Sequence, residues 1–253
     1  PTWENVSDPG GRKILEIDPA SSFGTGQHHT TKLVMEALES AIKGGERVLD
    51  LGCGSGILSI AALLLGAEKA VMTDVFLNAI NTASENTKQN GFDKTRYEAY
   101  CGNIIDDCAL REKIGGGYDI ITANIVADVI IKMSPYFKGF LKENGTVIIS
   151  GIITERLKEV KEAIDREGLA VERIDEEEDW NAVICHLKNT EVIFMQAIWF
   201  FLSVFFGIMG GYFFLRIIFY SLTKRLSECY LSARRPRERV NGAKSGESFQ
   251  RMG

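Results

Sequence analysis

From about residue 30 to residue 188 the chain alternates short, nearly continuous apolar runs with longer stretches whose apolar residues recur every three or four positions. The runs at residues 47–51, 70–73, 97–101, 118–124 and 146–150 predict buried strands. The periodic stretches predict helices at 30–41, 57–65, 78–89, about 126–133 and 155–167. In the first of these Leu33, Val34, Ala37, Leu38 and Ala41 make one apolar face. Thr30 and Thr31 are placed to cap that helix, and Gly44 and Gly45 to end it. Such alternation is the βαβ rhythm of a parallel sheet. Residues 170–175 and 182–187 predict two last strands, joined by an acidic E-E-E-D-W segment and able to pair as an antiparallel hairpin at the sheet edge. Glu176 to Asp179 read as a solvated connection rather than a metal site, because consecutive loop residues rarely converge on one ion. Residues 1–30 read as an extended lead-in that ends in the loop S-S-F-G-T-G-Q-H-H-T-T.

The pattern changes after Lys188. Residues 192–215 are twenty-four positions without a charged side chain, enough for a helix to cross about 30 Å of hydrocarbon. They predict a C-terminal apolar helix, with 189–222 membrane-spanning or membrane-associated and 223–253 a basic, disordered tail. The positive-inside tendency puts Lys224, Arg225, Arg234, Arg235, Arg237 and Arg239 in the cytoplasm. A single span would then place residues 1–188 on the far side of the membrane. The abrupt change of composition favours a tail joined near residue 189 by fusion or a reading-frame error.

Composition narrows the picture further. With 253 residues and 45% hydrophobic content the chain can hold one domain with a sizeable core. Residues 216–253 carry nine Lys or Arg against three Asp or Glu, a net of +6, which leaves −11 of the total −5 on residues 1–215. An acidic body argues against direct nucleic-acid binding. The five cysteines, Cys53, Cys101, Cys108, Cys185 and Cys229, are odd in number and lack C-x-x-C spacing, which suggests neither a disulfide framework nor a metal site. The first residue is Pro rather than Met, as in a chain that begins inside a longer reading frame or has been processed.

Candidate chemistry centres on V-L-D-L-G-C-G-S-G at residues 48–56, a buried strand running into a turn whose Gly52, Gly54 and Gly56 permit positive φ. Asp74 follows Gly56 by eighteen residues, at the end of the next predicted strand, where a carboxylate can accept two ribose hydroxyls. G-x-G-x-G departs from the dinucleotide pattern G-x-G-x-x-G. On the residues alone NAD, another adenosine-bearing ligand and a ligand-free turn all remain open. The strand at 118–124 ends in A-N-I-V, which places Asn124 at the carboxyl edge of the sheet. Its amide carbonyl there can accept an N–H bond from an attacking amine and direct the nitrogen lone pair; the plainer reading is a cap on the following helix.

Three segments together resemble one family. They are D-P-A-S-S-F-G-T-G-Q-H-H-T-T at 18–31, L-D-L-G-C-G-S-G-I-L at 49–58 and A-N-I-V-A at 123–127, with E-D-W-N at 178–181 similar to the family's closing segment. Residues 1–188 resemble the catalytic domain of the bacterial ribosomal protein L-11 methyltransferases, which are class I S-adenosylmethionine-dependent enzymes. The resemblance implies a Rossmann-like α/β fold with a mostly parallel seven-stranded sheet and helices on both faces. It implies S-adenosylmethionine as cofactor and N-methylation of lysine side chains and the terminal amine of a large-subunit ribosomal protein, in the cytoplasm. By the same resemblance Thr31, Gly52, Asp74 and Asn124 contact the cofactor, Gly54 belongs to the same turn, and Phe23, Gly24, Thr25 and Gly26 form a loop over it. Asn124 faces the methyl-transfer end as the catalytic residue, and His28 is expected to structure the loop.

The chain departs from the family's pattern in four ways. The family's small N-terminal substrate-recognition domain has no counterpart in these residues; Phe76 stands where a second acidic residue is usual, and His29 where a proline is. The apolar segment at 192–215 has no counterpart either, and it carries the expectation of membrane association. Rival expectations are methylation of RNA or a small molecule on the same fold, and a nonenzymatic membrane-tethered module with a degenerate cofactor site.

Overall fold

The computed structural model describes residues 13–18, 28–188 and 198–200. Contacts divide the chain after Lys188, and the account below concerns residues up to that point. The expected Phe23–Gly26 loop and almost all of the expected C-terminal apolar helix lie outside the described residues, as does the basic tail. Among the described residues no helix is long and apolar enough to cross a membrane.

Seven strands form one sheet: β1 (Arg47–Leu51), β2 (Lys69–Asp74), β3 (Tyr97–Cys101), β4 (Tyr118–Asn124), β5 (Leu141–Ile153), β6 (Leu169–Glu177) and β7 (Trp180–Leu187). Their spatial order is β3-β2-β1-β4-β5-β7-β6. The first five are parallel to one another, and β7 runs antiparallel to both β5 and β6. The expected parallel sheet and its terminal hairpin are therefore both present.

Among the described residues up to Lys188, six α-helices, α1 (His29–Ala41), α2 (Ile57–Leu65), α3 (Leu77–Gln89), α4 (Cys108–Ile114), α5 (Ala127–Phe140) and α6 (Leu157–Arg166), cover the sheet. Alternation along the strands sorts the core into two faces. Val48, Ile120, Ile148 and Ile184 pack with Val34 and Leu38 of α1 and Ile57 and Ile60 of α2. Leu49, Ile121, Val147 and Val183 pack with Leu110 of α4, Ile130 and Phe137 of α5, and Val160 of α6.

The differences from expectation have local causes. Helix α4 is only seven residues long and was not anticipated, since two turns carry too little periodicity to register; Asp107 caps it by accepting from Leu110 N at 2.9 Å. Helix α5 continues past residue 133 through Pro135. A proline there removes the bond to the carbonyl four residues back, and the Ser134 hydroxyl supplies a replacement by donating to Ile131 O at 2.9 Å. The cap of α1 is His28 rather than a threonine: its ring accepts from Thr30 N, while Thr30 and Thr31 lie buried in the first turn.

Candidate active site

Strand order reverses direction between β1 and β4, which opens a crevice at their carboxyl ends, where open α/β sheets bind ligands. One wall is the turn after β1. Gly52, Gly54 and Gly56 have φ of 74°, 54° and 82°, in the left-handed region, and the turn is anchored from behind by Gly52 N and Cys53 N, which donate to Thr73 O at 2.8 and 3.0 Å. Asp74 sits over it. Its Oδ2 accepts from Gly54 N and its Oδ1 from Phe76 N, both at 3.0 Å. The carboxylate is thus oriented by backbone while staying partly exposed at the crevice. Val75, Phe76 and Leu77 follow with exposed apolar surface, Phe76 at 71%.

The opposite wall is Asn124 at the end of β4. Its Nδ2 donates to Thr31 Oγ1 at 3.3 Å, joining residues 93 apart in the chain. Its Oδ1 has no hydrogen-bond partner among the described residues. The capping alternative does not hold, because the N-cap of α5 is Val126. The structure therefore brings Gly52, Gly54 and Asp74 together on one side and Thr31 with Asn124 on the other.

Two residues that shape this site, Ile125 and Gly151, were not anticipated. Ile125 is wedged between two strand ends: a Cβ on Gly52 would lie 2.6 Å from Ile125 Cγ2, and one on Gly151 would lie 2.4 Å from Ile125 O. Asn124 is held in place by this contact and by pairing with Ser150 across β4 and β5. The only sequence sign of Gly151 was a glycine after an apolar run. His28 lies edge-on against Trp180, with ring centroids 4.8 Å apart. This joins the start of α1 to the β6–β7 hairpin. The neighbouring His29 reaches Glu177 and Glu178 at 3.3 and 3.4 Å. Lys32 donates to Glu177 at 2.7 Å, and this bond, before the His29 contact, holds the Glu177 carboxyl below its ordinary range. Glu178, at φ 54°, makes the tight hairpin turn. No group of three metal-binding side chains occurs among the described residues.

Behind the turn Asp50 is fully buried and accepts from Ser59 Oγ and Thr122 Oγ1, each at 2.8 Å. It ties β1, α2 and β4 together. Burial pushes its carboxyl up from the ordinary 3.8 to about 6, against the two hydroxyl bonds, which lower it. Burial, with Asp50 and Asp74 nearby, likewise pushes the Cys53 thiol well above its ordinary range, so this cysteine stays protonated. Because the folded state holds the Asp50 proton more tightly than the unfolded chain, stability is greatest below the unfolded value and falls as pH rises toward about 6. Asp50→Asn should remove that component. The stability difference between the two proteins, followed by urea unfolding from pH 4 to pH 7, is expected to change by up to about 3 kcal/mol. A constant difference would mean that Asp50 titrates normally.

A parallel five-strand core closed by an antiparallel edge pair, with a glycine turn and a strand-end acid at its switch point, defines a Rossmann-like class I methyltransferase fold. The family model for ribosomal protein L11 methyltransferase matches residues 1–188, and the chain belongs to that family. The ribosomal protein L11 methyltransferase of Agathobacter rectalis is 47% identical over 185 residues, covering 71% of this chain and 57% of that protein. The one from Halalkalibacterium halodurans is 42% identical over 184 residues, covering 73% and 56%. The chain thus spans a little over half the length of these curated relatives. Among solved structures, the ribosomal protein L11 methylase of Lactobacillus delbrueckii subsp. bulgaricus is 30% identical with a TM-score of 0.67, covering 74% of this chain and 93% of that one.

Proposed function

We propose that this chain transfers a methyl group from S-adenosylmethionine to lysine side chains and the N-terminal amine of a large-subunit ribosomal protein in the cytoplasm. The observation that carries the reading is the crevice with Asp74 and the glycine turn on one wall and the Thr31–Asn124 pair on the other. The residues fit the cofactor. The three glycines leave stretches of the turn without a side chain, while Cys53 and Ser55 between them are buried, which lets a ligand approach backbone. The Asp74 carboxylate, steadied by two N–H groups, retains lone pairs for two ribose hydroxyls. The exposed Phe76 offers apolar surface beside it.

The cofactor supplies an electrophilic methyl group on a sulfonium. The protein's part is to bind and orient. Gly52 and Gly54 would admit the cofactor to the turn with Thr31 beside it, and the family resemblance assigns Phe23, Gly24, Thr25 and Gly26, outside the described residues, to cofactor contact as well. Asn124 is the catalytic residue: its Nδ2 is tied to Thr31, and its Oδ1 accepts an N–H from the incoming amine and aims the lone pair along the line of transfer. Membership of the ribosomal protein L11 methyltransferase family supports the ribosomal substrate.

Isothermal calorimetry of the chain with S-adenosylmethionine and S-adenosylhomocysteine, with NADH as control, tests the cofactor. Mass spectrometry of ribosomal protein L11 after incubation with the chain and cofactor tests the substrate. Binding of the first two ligands alone, with mass gains in steps of one methyl group, is expected; absence of binding would refute the reading. Asn124→Ala should lower kcat by about ten- to a hundredfold while changing cofactor affinity less than about threefold. Equal losses in both would make Asn124 a binding residue instead.

A further inference from the structure

Helix α3 and its C-cap carry two asparagines one turn apart that clamp the extended chain ahead of α1. Asn90 Nδ2 donates to Glu16 O at 2.7 Å, and its Oδ1 accepts from Glu16 N at 2.9 Å. Asn86 does the same two residues on, with Nδ2 donating to Asp18 O at 2.9 Å and Oδ1 accepting from Asp18 N at 3.0 Å. The two side chains supply what a neighbouring strand would supply, one amide for each alternate residue, while Ile17 between them packs into the core beside α1 and α2.

The two asparagines differ in one respect. Asn86, only 2% exposed, also donates to Ser55 O at 2.9 Å, inside the glycine turn. One helical turn earlier, Ala83 lies against the same turn, and a Cβ on Gly56 would come within 2.9 Å of the Ala83 Cβ. Helix α3 therefore meets the turn at a packed contact and a hydrogen bond. Asn90 has no bond to the turn; its other contact is Asn86 O in its own helix.

We infer that Asn86 is a positioning residue for the glycine turn: its amide fixes the Ser55 carbonyl and the Asp18 backbone to one point on α3, so the cofactor-binding turn and the chain leading to α1 hold a set spacing. The link to cofactor binding rests on the methyltransferase reading. The anchoring of the turn does not. In a turn rich in glycine, few side chains oppose backbone rearrangement, so an external anchor on the Ser55 carbonyl, between Gly54 and Gly56, restricts the conformations from which the ligand site must be selected.

The test compares Asn86→Ala with Asn90→Ala in the full chain. Each removes the paired bonds to one lead-in residue, and only the first removes a bond to the turn. Native-state amide exchange at Gly54 and Gly56 is expected to quicken about tenfold in Asn86→Ala and less than about twofold in Asn90→Ala, whereas both lower the melting temperature. The dissociation constant for S-adenosylmethionine should rise about tenfold in Asn86→Ala alone. Asn86→Asp, which keeps the acceptor for Asp18 N and loses both donations, should follow Asn86→Ala at the turn, and serves if the alanine variant does not fold. Equal exchange at the turn in the two alanine variants, or unchanged exchange in both, overturns the inference. A wild-type chain that binds no S-adenosylmethionine refutes the methyltransferase reading instead, and the exchange comparison still decides the role of Asn86.

Discussion

Asp74→Ala is expected to weaken S-adenosylmethionine binding about a hundredfold or more, because two hydroxyl bonds to a charged acceptor are each worth about 1.5–3 kcal/mol. The structure adds a second component to that loss. The same carboxylate accepts from Gly54 N and Phe76 N, so its removal frees the turn as well as the ribose position. The fold itself should survive. Asp74 is only partly buried, and water can reach the released N–H groups, which limits the stability loss to about 1–2 kcal/mol. Calorimetry with the folded variant checks the affinity, and an unchanged dissociation constant would remove Asp74 from the cofactor site.

The second large effect is expected at Gly151, which was not anticipated as part of the site. Its φ of 83° is matched by Gly168 at 82°. An alanine at either position meets the same conformational penalty, about 1–2 kcal/mol. Their surroundings differ: nothing lies within 4 Å of a Cβ on Gly168, whereas one on Gly151 meets the Ile125 carbonyl oxygen at 2.4 Å and its carbon at 2.8 Å. Backbone must move to relieve that collision, and the backbone in question follows Asn124 directly. Gly151→Ala should therefore cost about 3 kcal/mol or more in urea unfolding, against about 1 for Gly168→Ala. It should also lower methyl transfer sharply, while Gly168→Ala leaves turnover near wild type. Equal stability losses would show that the Ile125 contact yields without cost.

Where a feature arises from a long enough run of neighbours in the chain, it was legible beforehand, whereas the two-turn helix α4 was not. The strand at 47–51 and the glycine turn after it were readable because a continuous apolar run ending in three glycines constrains backbone locally, and the observed positive φ values at Gly52, Gly54 and Gly56 agree with that reading. Helix α5 shows the limit of local reading, since Pro135 signals a break and only the Ser134 hydroxyl on Ile131 O shows how the helix accommodates it. The glycine turn, Asp74 and the hairpin at residues 169–187 were also legible, through strand periodicity and spacing. The Phe23–Gly26 loop rests on the resemblance alone.

The amino-acid order by itself thus determined the seven strands, five of the six helices, the parallel βαβ alternation with its closing hairpin and the two strand ends that carry the candidate chemistry, because these follow from periodicity, glycine and the acidic residue's spacing. Only the tertiary structure decided what those ends meet. The bond from Asn124 to Thr31, the wedge of Ile125 between Gly52 and Gly151, the buried Asp50 shared by Ser59 and Thr122, and the grip of Asn86 on Ser55 and Asp18 join residues from separate elements. Their partners are selected by sheet register and helix packing, which depend on the summed burial of the whole core rather than on any local pattern.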